Sequence, residues 1–293
     1  DSLGDVQGGG AAPKWRIGVL IACHDRRAKT LRCLKSLAES CDNAIDLVRV
    51  EVFLVDDGSI DGTATAVRTA FPHVHVISGD GSLYWCGAMR IAWREAAQHD
   101  FDAYFWLNDD VVLDENAVSR LLGTMREKQS VAGKPCIVVG ATRDPVKGST
   151  GPSYGALTAS GVARVAHSVE RIEYFNGNVV LVNRMAYRTL GLLSPSYQHG
   201  FADLDYGVRA RRAGVEVWLA PRTLGECATN GTPFWLRRDV PLWQRLRELH
   251  RPTGCPPLQL ARLVWQNGGW WFPWSVLKLY FHTFFPPKEK ARA

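Results

Sequence analysis

The hydrophobic positions of the chain fall into short apolar runs that alternate with segments of helical spacing. Residues 16–22 (RIGVLIA) are almost entirely apolar, which is typical of a strand buried on both faces. In the segment 28–40 that follows, Leu31, Leu34 and Leu37 are spaced to share one face of a helix. Continued along the chain, this alternation predicts strands at 50–55, 74–77 and 103–107, and helices that begin at Thr63 or span 84–98 and 115–127.

The pattern changes after residue 135. It predicts strands at 136–141, 178–182 and 215–219, a loop or hairpin over the glycine-rich segment 148–161, and short helices at 184–190 and 203–212. Alternation of strands and helices favours an α/β fold with a parallel or mostly parallel central sheet and helices on both faces. Ligands of such folds bind at the carboxyl ends of the strands.

Charge divides the 293 residues into two unequal parts. Residues 1–231 carry 25 Lys and Arg against 26 Asp and Glu, whereas residues 232–293 carry 10 against 3. We therefore predict a main domain at 15–231 and a helical, aromatic and basic C-terminal extension at 232–293. Residues 1–14 are rich in glycine and alanine, so we expect this N-terminal segment to be flexible. The seven cysteines are scattered without a Cys-x-x-Cys pair, which favours reduced thiols in the cytosol over a zinc cage or a disulfide framework.

The extension also holds six of the 11 tryptophans. Basic residues mixed with tryptophan suit an anionic membrane surface, where the rings lie at headgroup depth. The apolar run 270–285 is interrupted by Pro273 and Lys278 and falls short of the ~20 residues that a spanning helix needs. The alternative is that the aromatic residues pack against the main domain or against a second copy. No nucleic-acid-binding motif is present, so nucleic acid is not an expected partner.

Three acidic clusters follow predicted strands and are the candidate chemistry of the chain. They are VDDGSIDGT at 55–63, WLNDDVVL at 106–113 and FADLDYGVRARRAG at 201–214. Carboxylates at strand ends can bind ribose hydroxyls, a divalent cation or an acceptor proton. Each cluster also has a structural interpretation: Asp61, Asp114 or Asp203 could cap a helix, and Asp205 could pair with Arg209 at i, i+4.

The order of these segments resembles the family 2 glycosyltransferases of the GT-A fold, in particular the bacterial rhamnosyltransferase-like members, from about residue 15 to residue 229. VDDGSIDGT matches the family's Asp-Asp-Gly-Ser signature, GDGSLYWCGAMR takes the place of its glycine-rich donor loop, and LNDDVVL is similar to its DxD-type metal motif. The segments IACHDR, YFNGNVVLVNR and FADLDYGVRARRAG resemble its first nucleotide contact, its sugar-pocket strand and the segment with its catalytic base.

The resemblance implies a role for each matching residue. The base and ribose of the nucleotide would be bound by Cys23, His24, Asp56, Asp57, Gly81 and Asp109. The donor sugar would lie against Trp85, Asn176 and Gly177. Asp110, supported by Asp109, would be the ligand of Mg2+ or Mn2+. Asp203 would be the catalytic base, with Asp205 orienting it or the acceptor.

The chain departs from the family pattern in two places. Many members have Glu-Asp before the base helix, where this chain has Ala202-Asp203. Many also use a late histidine as a metal ligand, whereas the matching stretch here is GECATNGT, which leaves Glu226, Cys227, Asn230 or no residue in that role.

The resemblance implies an inverting, metal-dependent transfer from a dTDP-rhamnose or UDP-sugar donor to a lipid-linked or growing bacterial surface glycan. The acceptor could be linked to polyprenyl diphosphate, and the protein would be cytoplasmic, either free or peripheral on the inner face of the membrane. Two alternatives remain open. One is a sugar-nucleotide nucleotidyltransferase, for which the first loop CHDRRAKT lacks the expected glycine-rich phosphate loop. The other is a catalytically idle sugar- or membrane-binding protein of the same fold.

Overall fold

The computed structural model of the protein describes residues 14–129, 133–145, 151–158, 161 and 163–287. Of the N-terminal segment 1–14, for which we predict flexibility, only Lys14 is among them, and parts of the predicted loop at 148–161 also lie outside the described residues. The strands of the described residues are β1 Trp15–Cys23, β2 Val48–Asp56, β3 His75–Ser78, β4 Ala103–Leu107, β5 Val112–Leu113, β6 Cys136–Arg143, β7 Pro152–Tyr154, β8 Ala156–Leu157, β9 Ala163–Arg164, β10 Glu170–Arg171, β11 Val179–Asn183 and β12 Glu216–Glu226.

The helices lie between these strands and in the basic extension. They are α1 Arg27–Asp42, α2 Thr63–Ala70, α3 Tyr84–Ala96, α4 Ala117–Gln129, α5 Arg184–Leu190, α6 Ala202–Arg212, α7 Leu242–His250, α8 Pro257–Gln266 and α9 Phe272–Phe284. The strands and helices predicted from hydrophobic spacing are therefore confirmed. The hydrophobic pattern does not reveal the short strands β5 and β7–β10, each two or three residues long, or the bounds of the three helices in the extension.

The main sheet has the order β10-β12-β6-β11-β4-β1-β2-β3. Its β3-β2-β1-β4 part is parallel, and β6 and β12 are parallel to each other. The predicted mostly parallel sheet flanked by helices is confirmed. β11 is the central exception, because it runs antiparallel to both β4 and β6. This direction brings the residues that precede β11 to the edge where β4 ends. There the amide of Asn108 donates a hydrogen bond to the carbonyl oxygen of Asn178, with a nitrogen–oxygen distance of 3.0 Å.

Both faces of the sheet are buried, as the continuous apolar runs predict. Alternation along β1 sends Ile17, Val19 and Ile21 to the core beneath α1 and α4, and Leu20 to the core beneath α3. On the face of the sheet that α3 covers, an aromatic contact holds α6 in place. Tyr206 of α6 packs edge-to-face against Trp106 of β4, with ring centroids 5.0 Å apart. The first turn of α6, which contains Asp203, is thereby held at the carboxyl edge of the sheet.

The basic extension packs on the main domain through α8. The Tyr197 hydroxyl donates to Oε1 of Gln266 at 2.9 Å, and Nδ2 of Asn267 donates to the Tyr174 hydroxyl at 3.1 Å. Over the described part of the chain, every helix is too short or too polar to pass through a bilayer.

Candidate active site

A cavity of about 490 Å³ lies at the carboxyl edge of the sheet. It receives Asp57 from the end of β2, Asp109 and Asp110 from the end of β4, and Asp203 from the start of α6. The three acidic clusters, which are far apart in sequence, therefore converge on one cavity. Other predicted residues also line it: Cys23, His24, Gly81, Trp85 and Gly177.

Asp57 ties together the loops that follow the first three strands. Its carboxylate oxygens accept hydrogen bonds from the amides of Gly81 (2.8 Å) and Tyr84 (2.9 Å), and its carbonyl oxygen lies 2.6 Å from Nδ1 of His24. Close approach requires glycine at position 58, where a Cβ would lie 2.8 Å from the amide nitrogen of Gly81. Asp57 thus shapes the loop at 79–84 as well as facing the cavity.

Trp85, Asn108 and Gly177 form one wall of the cavity. The indole nitrogen of Trp85 donates to Oδ1 of Asn108 at 2.8 Å, which fixes the ring orientation. A Cβ at position 177 would lie 2.8 Å from the Trp85 ring and 3.4 Å from Cβ of Asp203. Glycine at position 177 therefore leaves room for both the Trp85 ring and the Asp203 side chain next to the start of β11.

Asp203 is held by two backbone amides. Oδ2 accepts from Gly177 and Oδ1 from Leu204, both at 2.9 Å. Enclosure within the cavity raises the pKa of the Asp203 carboxyl above its usual range, although both hydrogen bonds act in the opposite direction. A carboxylate with a raised pKa is a better proton acceptor than an exposed aspartate, so this geometry suits a general base.

Arg26 bridges the two carboxylates at the end of β4. Its Nη1 lies 3.2 Å from Oδ1 of Asp109 and 3.0 Å from Oδ2 of Asp110. Burial and the neighbouring Asp110 raise the pKa of Asp109, the Arg26 guanidinium counteracts both, and the resulting pKa is about 6. The pair would be costly to bury without a nearby cation, and in this arrangement the guanidinium supplies the positive charge.

The cavity can accept a divalent cation only if the substrate supplies part of the coordination. Within the described ranges no three His, Cys, Asp or Glu side chains group in a way that could hold a metal. Mg2+ is commonly held by one or two carboxylates together with substrate phosphates, so Asp109 and Asp110 are a sufficient protein contribution. Among the residues considered for the missing histidine, Glu226 pairs with Arg143 at 3.1 Å, and Asn230 lines the cavity.

Cys227 lies next to the acidic pair but behaves as a hydrogen-bond donor. Its Sγ lies 3.5 Å from Oδ1 of Asp110, and burial together with the charge of Asp110 raises the pKa of the thiol. A protonated thiol is a poor metal ligand. Cys227 therefore holds the orientation of Asp110 in this structure.

Three predicted site residues do not line the cavity. Asp56 is buried and accepts a hydrogen bond from the amide of Ser59 at 3.1 Å. The amide of Asn176 donates to the carbonyl oxygen of Gly155, outside the lining. Asp205 is 1% exposed and bonded to Nε of Arg209 at 2.9 Å, which is the structural role considered for it from the sequence.

Sequence reasoning did not assign Arg26, Tyr154 or Thr253 to the site, yet all three line the cavity. Arg26 lies three residues after the end of β1, at the edge where the acidic clusters were expected, and that position was the available signal. Tyr154 lies on the short strand β7 and Thr253 lies between α7 and α8, so neither carried a recognisable pattern. His199 also lines the cavity, and burial lowers its pKa, so the imidazole is neutral near pH 7.

Solved structures of other proteins share the fold of this chain. No curated protein matches the chain. The structure is similar to the mannosyltransferase PcManGT from Pyrobaculum calidifontis, solved in complex with GDP-Man and Mn2+, with a TM-score of 0.57 and 14% identity over 94% of this chain and 71% of that one. It is also similar to the crystal structure of S. aureus TarS 1–349, with a TM-score of 0.50 and 12% identity over 86% and 70% of the two chains.

These structural likenesses concern the fold, which is the GT-A fold that the sequence resemblance implied. Family membership rests on a separate finding. The model described as glycosyl transferase family 2 matches residues 18–187, which is more than half of the chain and includes the first two acidic clusters. The protein therefore belongs to glycosyl transferase family 2.

Proposed function

We propose that the protein is an inverting, metal-dependent glycosyltransferase that moves a sugar from a dTDP- or UDP-linked donor to a hydroxyl of a lipid-linked or growing bacterial surface glycan. The observation that carries this proposal is the one cavity shared by Asp57, Asp110 and Asp203. A transfer from a nucleotide sugar needs a nucleotide site, a counter-charge for the departing diphosphate and a proton acceptor. The cavity offers a residue for each of these tasks.

The nucleotide would be bound by the loops after β1, β2 and β3. Cys23, His24 and Asp57 face the cavity, and Gly81 presents its backbone there because Asp57 holds the loop. Asp56 would act from behind this layer, through the turn that its carboxylate stabilises at Ser59. Carboxylate oxygens accept hydrogen bonds from ribose hydroxyls and from the N–H of a pyrimidine base.

The sugar would lie on the wall formed by Trp85 and Gly177, with Asn176 supporting the chain behind it. Asp203 would accept the proton of the acceptor hydroxyl as that oxygen attacks the anomeric carbon. Attack from the face opposite the diphosphate forms the new C–O bond as the bond to the diphosphate breaks, and inverts the anomeric configuration. Asp205 would act through its ion pair with Arg209, which anchors the base helix.

Asp110, supported by Asp109, would hold Mg2+ or Mn2+ together with oxygens of the donor diphosphate. A bound cation of this kind neutralises charge on a leaving diphosphate. The Mn2+ in the PcManGT complex with GDP-Man supports this part of the proposal. Arg26 is close enough to the acidic pair to contribute positive charge on the same side.

A panel of dTDP-, UDP- and GDP-sugars with Mn2+ or Mg2+ tests the proposal. We expect one donor to raise the melting temperature and to be hydrolysed slowly, and transfer to an acceptor to give the inverted anomer by NMR. Asp110→Asn should abolish the metal-dependent part of donor stabilisation. A protein that no nucleotide sugar stabilises, or a product with retained configuration, would contradict the proposal.

A further inference from the structure

The exposed apolar side chains of the protein are concentrated in the basic extension. Of 15 large hydrophobic side chains that are exposed among the described residues, 12 lie between Phe234 and Phe285. The other three are isolated: Ile45, Ile60 and Met185. Scattered exposed apolar residues are ordinary, whereas a contiguous group marks an interaction surface.

Helix α9 presents its more apolar face to solvent. Trp274, Leu277, Phe281 and Phe285 follow at intervals of three or four residues and are 70%, 58%, 59% and 67% exposed. These intervals place them on one side of the helix. The buried side has Leu279 and Thr283, so packing within the chain does not explain the exposed stripe.

Helix α8 has a similar face. Leu258 and Trp265, seven residues apart, are 86% and 61% exposed, and Arg262 is exposed on the same side. The segment between α8 and α9 adds Trp270 and Trp271, which are 77% and 50% exposed. We call the exposed residues of α8, α9 and their connection the aromatic face.

The aromatic face is basic and contains no carboxylate. No Asp or Glu occurs between Glu248 and Glu289, a stretch that contains Arg251, Arg262, Lys278 and Lys288. Arg262 and Lys278 are exposed among the aromatic residues of α8 and α9. We infer that the aromatic face binds the surface of a bilayer that contains anionic phospholipids, with its rings at headgroup depth and its cations beside lipid phosphates.

A second copy of the chain fits this surface less well. A two-fold dimer would bring the same patch of both copies together, so that Arg262 and Lys278 would be desolvated without an opposing carboxylate. Lipid phosphates provide the missing counter-charge. With 13 residues, α9 is about 20 Å long and shorter than the hydrocarbon core, so it would lie in the plane of the interface.

This binding is independent of the reaction proposed above, but it would affect which acceptors reach the cavity. Thr253, in the connection between α7 and α8 and four residues before α8, lines the cavity. The aromatic face therefore begins close to the cavity wall, and membrane binding would bring the cavity near an acceptor carried on a lipid.

Vesicle flotation of the full chain tests the inference. We expect binding to vesicles of equal phosphatidylglycerol and phosphatidylcholine, weaker binding to phosphatidylcholine alone, and loss of the difference in high salt. Arg262→Gln with Lys278→Gln should weaken binding about 30-fold, which corresponds to about 1 kcal/mol for each cation. Trp274→Ala with Phe281→Ala should weaken it by at least about tenfold. Hydrogen exchange over 257–285 should slow when vesicles are added.

Matched controls are exposed residues outside the extension. Ile45→Ala with Met185→Ala, and Lys35→Gln with Arg171→Gln, should leave vesicle binding unchanged. Equal affinity for both lipid compositions, or full binding by the Trp274/Phe281 double variant, would overturn the inference. So would a dimer that this variant dissociates while vesicle binding persists, because the second copy would then cover the face. Donor-induced stabilisation measured without vesicles tests the proposed reaction separately.

Discussion

Asp203 and Asp205, two positions apart on α6, have different surroundings. Asp203 faces the cavity and is held by backbone amides, whereas Asp205 is buried against Arg209. Desolvation without a cationic partner raises the pKa of Asp203, so the ionised form is less favourable in the folded protein than in the unfolded chain. The ionised Asp203 that acts as a base is therefore expected to lower the free energy of unfolding of the protein.

The first prediction concerns Asp203→Asn. Loss of the base should lower transfer by about 100- to 10,000-fold. Because the folded pKa is raised, the stabilising contribution of Asp203 is fully present below its unfolded pKa and is lost as the pH rises through its folded pKa. Asparagine does not ionise, but its NH2 group would face one of the two backbone amides that donate to the carboxylate. The melting temperature of the variant relative to the wild type should therefore rise as the pH is raised from acid to 7. Calorimetry over a pH series, together with transfer rates, measures both effects.

Asp205→Asn is the matched comparison. Breaking its ion pair with Arg209 leaves a desolvated guanidinium and should cost about 3 kcal/mol of unfolding free energy. Wild-type transfer should decline below the folded pKa of Asp203, and the Asp205 variant should keep this acid limb. If Asp203→Asn retained transfer, the assignment of the base would be wrong.

At the scale of elements, Asp57 connects the end of β2 to the loop before α3. Tyr84 has a φ of 53°, in the left-handed region that residues other than glycine rarely adopt, and its amide is held by the Asp57 carboxylate. The same carboxylate holds Gly81, which lines the cavity. The shape of the predicted donor loop thus depends on one side chain in the neighbouring motif.

The second prediction is that Asp57→Asn loosens this loop. The Asp57 carboxylate accepts hydrogen bonds from the amides of Gly81 and Tyr84. Asparagine has one acceptor oxygen, so its NH2 group would face one of these two amides. Hydrogen exchange at 79–84 should accelerate and nucleotide affinity should fall about tenfold or more. Asp80→Asn is a suitable control, because the exposed Asp80 carboxylate bonds to Ser82 within the loop. Unchanged exchange in the Asp57 variant would contradict this account.

Sequence patterns predicted the strands because a sheet buried on both faces requires continuous apolar runs, and residues 103–107 match β4 from end to end. They did not predict the antiparallel direction of β11, since its apolar residues suit either orientation. They also did not reveal the contact between Arg26 and Asp109, which are 83 positions apart. In the sequence, an arginine at the start of α1 could equally be exposed to solvent. The fold of the sheet brings Arg26 next to Asp109 and Asp110.

For the whole molecule, the cavity depends on parts of the chain from Ala22 to Thr253. The ends of β2 and β4 supply Asp57, Asp109 and Asp110, helix α6 supplies Asp203, and the basic extension adds Thr253 to the lining. Arg26 has a particular place in this assembly, because its guanidinium contacts both Asp109 and Asp110. A divalent cation would have to share or displace that contact, so cation binding and donor binding should be coupled.

The last prediction is that Mn2+ binds weakly to the free protein and more tightly when a nucleoside diphosphate is present, because the diphosphate adds oxygen ligands to those of the acidic pair. Arg26→Gln should raise Mn2+ affinity in the absence of nucleotide about fivefold, which is about 1 kcal/mol for a partly exposed ion pair. Titration calorimetry should be done at alkaline pH, because the pKa of Asp109 is about 6 with Arg26 present and rises when Arg26 is lost, and protonation would mask the gain. Lys35→Gln, at an exposed pair on α1, should leave affinity unchanged. An Arg26 variant that binds Mn2+ no better than the wild type at alkaline pH would show that the guanidinium and the metal do not compete for these carboxylates.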